Sequence, residues 1–517
     1  MSELSAEDQS ASISTDKPRG TGLLLKLGLR LHRLLAWFGG IGALVWGLSG
    51  LLHPLMTTFG AQQSLYTPPV QLIDLSKSRP VEAILRAAGI TGAIAVQFVP
   101  AKDRSLLQIT TQDMAPRRYF NPENGEELTD HDARQAEFLA RHYLGDQVSS
   151  VPVTHLELLT DFNFEYPWVN RQLPVFRIDF ATEDHLTAYV HTDTGTLAAV
   201  NNDFKRWTQT GFQMFHTWEW LPDTVLWLRV AIITLFVGSI TSLALSGIVM
   251  LMRIRRKSRV PGLRGWHRIA AWVLALPMLM LSGSGLYHLW LAAIDPPTSQ
   301  LRFANTMQLE DLQLPLTSNW NRLTDGLSIN RVSIVKAPDG PILYRLGLVG
   351  TQGQPFTADK IRTARFDGVP ATGPALYLAA ASGKTWLPGD RELALQLGEQ
   401  FTGHPRAAIK LASQVTHFGI DYDFRNKRIP VWRLDYGAPV NATYFVDTSG
   451  GVLVDVVRSH EQPERLSFAL LHKWNFLMMI GRNVQNLVIS GVVLLAVVLL
   501  AVPGLLMKRR RRNVNVQ

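Results

Sequence analysis

The sequence predicts a membrane protein: an α-helical four-helix transmembrane bundle built from two repeats, with α+β modules outside the cytoplasm. Three observations carry this. Four apolar blocks, Leu34–Met56, Val225–Met252, Ile269–Ala293 and Val484–Met507, each reach the ~20 residues that a spanning helix needs. Basic residues crowd the short segments on one side of these blocks. The chain also repeats itself: Leu31–Leu55 and Trp266–Trp290 each carry two histidines 21 residues apart and a Ser-Gly pair, at a common offset of 235.

The charge pattern sets the topology. The link Arg253–Arg264 holds six basic residues and no acidic one, and the tail opens with five basic residues from Lys508 to Arg512. The N-terminal segment adds Lys17, Arg19, Lys26, Arg30 and Arg33 against four acidic residues. The positive-inside rule then puts both termini and the link in the cytoplasm. The formal charge of +9 is thereby a topology signal, and no nucleic-acid partner is needed to explain it. The polar, partly acidic first 22 residues are unlike a cleaved signal peptide, so the first apolar run reads as a retained anchor.

The expected organisation is a cytoplasmic segment 1–33, spans 34–56, 225–252, 269–293 and 484–507, a cytoplasmic link 253–268 and a tail 508–517. The long segments 57–224 and 294–483 lie outside, which in a Gram-negative cell is the periplasmic side of the inner membrane. With no cysteine in the chain, disulfides, iron–sulfur clusters and thiolate ligation are excluded.

Outside the membrane, a short helix over 80–88 precedes β-like runs at 93–99, 105–111 and 117–121, with a turn at 122–125. A second helix, Asp132–Tyr143, precedes strands at 151–158, 173–180 and 187–195. This segment also recurs. Pro174–Phe180 (PVFRIDF) matches Pro430–Tyr436 (PVWRLDY) at an offset of 256, and Asp193-Thr194-Gly195 parallels Asp447-Thr448-Ser449-Gly450. Phe215–Trp220 and Leu471–Phe476 keep the same offset into the membrane entry. The second copy is longer by 21 residues, and the Gly350–Gly373 stretch, rich in Gly, Pro and Thr, reads as the insertion.

Six histidines fall at membrane boundaries and form three equivalent pairs: His32/His267, His53/His288 and His216/His472. His131, His142, His155, His185, His191, His404, His417 and His460 fall in outside loops and strands and read as surface residues. A boundary histidine can simply snorkel to the headgroups. Paired imidazoles facing each other across an apolar bundle are, however, what a six-coordinate haem iron requires. Gly39, Gly40, Gly42, Gly47, Gly50, Gly283 and Gly285 leave room for a flat ring or, equally, for close helix packing. Zinc needs three or four ligands in a small tetrahedron. The outer face offers four histidines, so zinc stays open there, whereas the inner face offers only His32 and His267. Two haems, with His32/His267 as the inner axial pair, fit better. For the outer pair His53/His288 is favoured and mixed pairs stay open, with His216 and His472 at the haem edge or the docking site. Arg33 and Arg268 follow the inner histidines and suit either propionates or ordinary anchoring.

The His-ended helix with Trp46-x-x-Ser49-Gly50, the Pro-Val-[Phe/Trp]-Arg-x-Asp-[Phe/Tyr] strand, the Asp-Thr-Gly turn and Arg206-Trp207…Phe215-His216 resemble the PepSY-associated transmembrane family, over about residues 30–507. The resemblance implies PepSY-like modules outside and a haem-b inner-membrane reductase of ferric siderophores, releasing iron from an Fe(III) chelate in the periplasm. The chain departs from the pattern in offering six candidate ligands where two haems need four, and in a degenerate first module in its second half, 306–373. No NAD or flavin fingerprint is present, so electrons would come from quinol or a separate donor. The alternative is non-enzymatic: membrane-anchored modules that bind a protein or regulate a protease.

Overall fold

The computed structural model describes residues 20–66, 68, 69, 73, 75, 77–102, 104–253, 262–296, 302, 303, 306–312, 328–338, 340–349 and 375–507. The 350–373 insertion, the 508–517 tail, residues 1–19 of the N-terminal segment and 254–261 of the basic link lie outside the described residues.

Among the described residues four helices are long and apolar enough to cross a membrane: Lys26–Phe59, Asp223–Arg253, Leu263–Ile294 and Arg482–Met507. Each contains one of the four apolar blocks and overruns it, because a helix continues until its backbone groups find other partners. The chain divides into two compact units, one of residues 1–48, 223–286 and 490–517, the other of residues 49–222 and 287–489.

The first unit is helical. Its close approaches are made by glycines. A Cβ on Gly39 would lie 2.3 Å from Leu243 Cδ1, and one on Gly42 would lie 3.0 Å from the Phe236 carbonyl oxygen. Gly40 and Gly47 meet Leu505 and Val497 of the fourth helix at 2.7 and 2.9 Å. Small residues thus let these helices touch without side chains between them. Phe236 fills the adjacent space, stacking on Trp46 at 5.8 Å, and Thr241 bonds Ser282 across two helices at 3.0 Å.

The second unit is α+β. Helix His131–Leu144 packs Ala136, Leu139, Ala140 and Tyr143 on Phe176, Ile178, Ala188 and Val190. Those residues belong to a four-stranded antiparallel sheet of Val153–Leu159, Val175–Phe180, Thr187–His191 and Thr196–Asn201. The second copy repeats it with helix Gly389–Thr402 over Ile409–Val415, Val431–Tyr436, Ala442–Asp447 and Val452–Arg458, which gains a fifth strand, Arg302–Phe303. The amphipathic helix covers one face of each sheet, and central strands such as Thr187–His191 are buried on both faces.

Gly92–Ala93 pairs with Met307–Gln308 in a small sheet of its own, and six further strands of the two copies share one sheet. Ala95–Pro100, Ser105–Thr110 and Arg118–Phe120 come from the first copy; Ser328–Lys336, Ile342–Val349 and Leu376–Ala379 come from the second. They join antiparallel at the centre, Gln97 opposite Ser333. The first module of the second half therefore keeps a three-stranded meander although its sequence likeness is weak. Burial demands apolar alternation but not particular side chains.

The repeated motifs hold this unit together. In the Pro-Val-x-Arg-x-Asp strand, Arg177 pairs with Asp179 at 3.2 Å and Arg433 with Asp435 at 2.9 Å. Residues i and i+2 of a strand share a face, and Thr187 and Thr443 of the next strand each donate 2.6 Å bonds to the same carboxylates. The Asp-Thr turns instead bond a carboxylate in the first turn of each helix: Thr448 donates to Asp390 at 2.7 Å, beside the Tyr377 hydroxyl and the Trp432 indole, and Thr192 and Tyr119 bond Asp132 likewise.

Candidate functional site

In the helical unit, His32 and His267 face each other with ring centres 6.4 Å apart and planes crossed at 76°. Ser246 approaches His32 Nδ1 at 3.0 Å, and its hydroxyl donates to the Leu243 carbonyl at 3.2 Å. The serine hydroxyl can donate or accept, and the His32 tautomer decides which it does toward Nδ1. The Nδ1 of His267 is buried with no hydrogen-bond partner. Buried polar atoms are rarely left so.

The pair can be tested against a metal between the rings. A metal–imidazole bond is about 2 Å and the ring nitrogen lies about 1 Å from the ring centre, so two imidazoles on opposite sides of one ion have centres about 6 Å apart. The observed 6.4 Å matches. Gly39, Gly40, Gly42 and Gly47 are used in helix contact, so the fit rests on the histidines and not on these glycines.

The α+β unit holds the other four boundary histidines, arranged as two His-Phe-His series, stacked throughout in the second copy and tilted by 51° at His53 in the first. His53, Phe212 and His216 succeed one another with ring centres 5.8 and 4.6 Å apart. His288, Phe468 and His472 do the same at 4.1 and 4.8 Å. His53 further counts His216, His472, Lys473 and Arg482 among its charged neighbours, so histidines from both copies gather here.

Local backbone explains how His216 and His472 arrive. Each lies in a single π-helical turn, Gln213–Thr217 and Phe468–His472. Left-handed Trp218 (φ 57°) and Trp474 (φ 51°) follow these turns. The indoles fold back and donate to the carbonyls of Phe215 at 3.2 Å and Leu471 at 2.9 Å. An extra residue in the turn re-aims the side chain, a device common at functional sites. Gly50 then admits the ring: a Cβ there would stand 3.3 Å from His216 Cε1.

Neighbours orient the rings. His288 Nδ1 bonds Glu464 Oε1 at 2.5 Å, and Ser49 Oγ lies 3.2 Å from His216 Nδ1. Such pairing of the far ring nitrogen fixes tautomer and orientation where histidine serves as a ligand. Lys473 lays its ammonium over the Phe468 ring at 4.8 Å; burial, and then Arg425, pull its pKa down to about 8. Among the described residues the only group of three potential ligands within 4.8 Å is Asp295, His460 and Glu461, and Arg458 pairs with both of its carboxylates.

Phe212, Phe468, Ser246 and Glu464 were not legible as site residues from the sequence. The first two carried a signal, Phe-x-x-x-His at the shared offset of 256, whereas Glu464 has Thr208 as its counterpart and no repeat marks it. His191 reads as a surface residue in sequence but is buried, its Nδ1 bonded to the Thr194 hydroxyl at 2.8 Å.

Fold and site together define a chain with four helices long and apolar enough to cross a membrane, a repeated α+β portion and two histidine groups. No protein-family model matches it, and no curated protein does either.

Proposed function

We propose that this protein is a haem-b electron-transfer protein of the bacterial inner membrane, one that reduces a ferric siderophore or other Fe(III) chelate on the periplasmic side. The observation that carries the reading is the spacing of His32 and His267 together with the orphaned Nδ1 of His267. His32 and His267 would hold one haem; two of His53, His216, His288 and His472 would hold a second. When bound, the haem supplies a one-electron carrier that passes through apolar surroundings.

The chain's own groups do the rest. Ser246 orients His32, Glu464 orients His288, Phe468 stacks between His288 and His472, and Phe212 stacks on His216 with the His53 ring tilted 51° to it. Each Fe(III) takes one electron and leaves as Fe(II), and a quinol donor would supply two electrons and two protons, enough for two iron ions. The four apolar helices and the PepSY-like reading of the modules support a bilayer location with both termini cytoplasmic.

The test is the spectrum of the purified full-length protein. A b-type spectrum, reduced by dithionite and reoxidised by a ferric siderophore, is the expected result. A colourless protein would overturn the proposal in favour of a non-enzymatic binding role for the modules.

A further inference from the structure

Where the two copies meet at the centre of the shared sheet, a cavity of ≈ 20 Å³ is lined by Gln97, Asp193, Arg331, Ser333, Arg428 and Ser449. Its lining joins the central strands to the Asp-Thr turns of both copies. Arg331 is committed to the Gln97 amide oxygen at 2.6 Å and the Asp193 carbonyl at 3.3 Å. Arg428 gives Nη1 to Asp447 at 2.7 Å. Its Nε and Nη2 have no hydrogen-bond partner, and Asp193 Oδ2 stands 3.8 Å from Nη2, beyond hydrogen-bond reach. The Ser333 hydroxyl, 3 % exposed as a residue, is likewise buried without a partner.

We propose that this cavity binds one small monatomic anion, chloride in the cell. The unpartnered nitrogens, Arg428 Nε and Nη2, are donors only, and the Ser333 hydroxyl has a proton to give, so an anion in the cavity would accept from them. A water there would also accept, but would have to hand its own protons to Asp193 or Ser333. Charges of both signs surround the cavity: Arg117, Arg331, Arg345 and Arg428 lie among Asp132, Asp193, Asp390 and Asp447, so the case for the anion rests on the unpartnered donors. Size selects the class: about 15 Å³ of such space holds one water-sized sphere, so a sulfate, phosphate or carboxylate is too large. Bound there, the ion would tie the two copies together beside the buried His191 and Asp193.

The test uses the full-length protein in detergent, with Tm read by tryptophan fluorescence as chloride replaces gluconate at fixed ionic strength. Tm should rise and saturate, bromide should substitute, and crystals soaked in bromide should show an anomalous peak in the cavity. Ser333→Ala should raise the half-saturating chloride about tenfold. Ser333→Asp, which supplies its own negative charge, should fold and lose the chloride dependence. Equal Tm in chloride and gluconate with no bromide peak would show a water there and overturn the proposal, as would an undiminished chloride response in Ser333→Asp. Should Ser333→Asp fail to fold, the bromide peak and Ser333→Ala decide. None of these readouts depends on haem.

Discussion

The imidazoles of His32 and His267 stand 6.4 Å apart, centre to centre, with their planes crossed at 76° and the Nδ1 of His267 buried without a partner. His32 has Ser246 as a partner, whereas the buried Nδ1 of His267 needs a ligand or carries a cost in free energy. Replacing either with alanine should lower the haem bound per chain to about half, with the remaining haem spectrally unchanged, since each imidazole is one of two axial ligands. Pyridine haemochrome assay of both single variants checks this. Full haem content in both would rule the pair out.

Glu464 holds His288 through a 2.5 Å bond to Nδ1. Glu464→Gln keeps a hydrogen-bonding side chain but removes the charge. Loss of such a partner costs about 10- to 100-fold in affinity when the histidine is a ligand. Haem titration and redox potentiometry should therefore show weaker retention and a raised midpoint potential in this variant. Identical values would show that His288 is not a ligand.

Arg171 of the first copy pairs with Asp455 of the second at 3.2 Å, with side chains 5 % and 1 % exposed. Arg171→Ala leaves the buried Asp455 with the Asn426 amide at 2.9 Å and Arg465 at 4.0 Å, and should destabilise the protein by about 3 kcal/mol. The double variant Arg171→Met, Asp455→Leu should recover most of that, because neither charge is then left buried. Denaturant titration of the two variants distinguishes these outcomes.

His191 supplies a pH dependence. Burial first, then the Arg117 guanidinium, hold its pKa at about 3, well below the 6.5 of a free imidazole. The unfolded chain thus binds a proton that the folded chain refuses, and stability falls as pH drops from about 6.5 toward 3. Asp193 beside it is held below the ordinary carboxylate range by Arg117 and its other cationic neighbours against the burial penalty, so its contribution is lost only at still lower pH. His191→Gln should flatten the stability profile between pH 7 and 5. An unchanged slope there would place the proton elsewhere.

The proposed orientation predicts reporter behaviour. Alkaline phosphatase fused after Gln517 should be inactive, and fused after Val200 active, because that enzyme matures only outside the cytoplasm. The opposite pattern would invert the topology.

The sequence determined what depends on composition along the chain. Apolar runs of about 20 residues dictate helices in any context where backbone groups must be satisfied internally, and all four were legible. Alternation and turn residues likewise marked the strands around Val175–Phe180 and Val431–Tyr436, and the two offsets, 235 and 256, announced the duplication. The six boundary histidines could be named, because a polar residue at the end of an apolar run stands out.

Tertiary structure decided what depends on distance between segments. Gly39 and Gly42 read equally as room for a ring or as contact surface until Leu243 and Phe236 came within 3 Å of where a Cβ would be. Glu464 reached His288 across 176 residues, and Ser246 reached His32 across 214. His191, polar in a strand, looked exposed, yet its strand lies inside the sheet with both faces covered. Local pattern fixes which face of an element is apolar, but not which other element covers it. That choice follows from chain connectivity and packing, and it created both histidine groups.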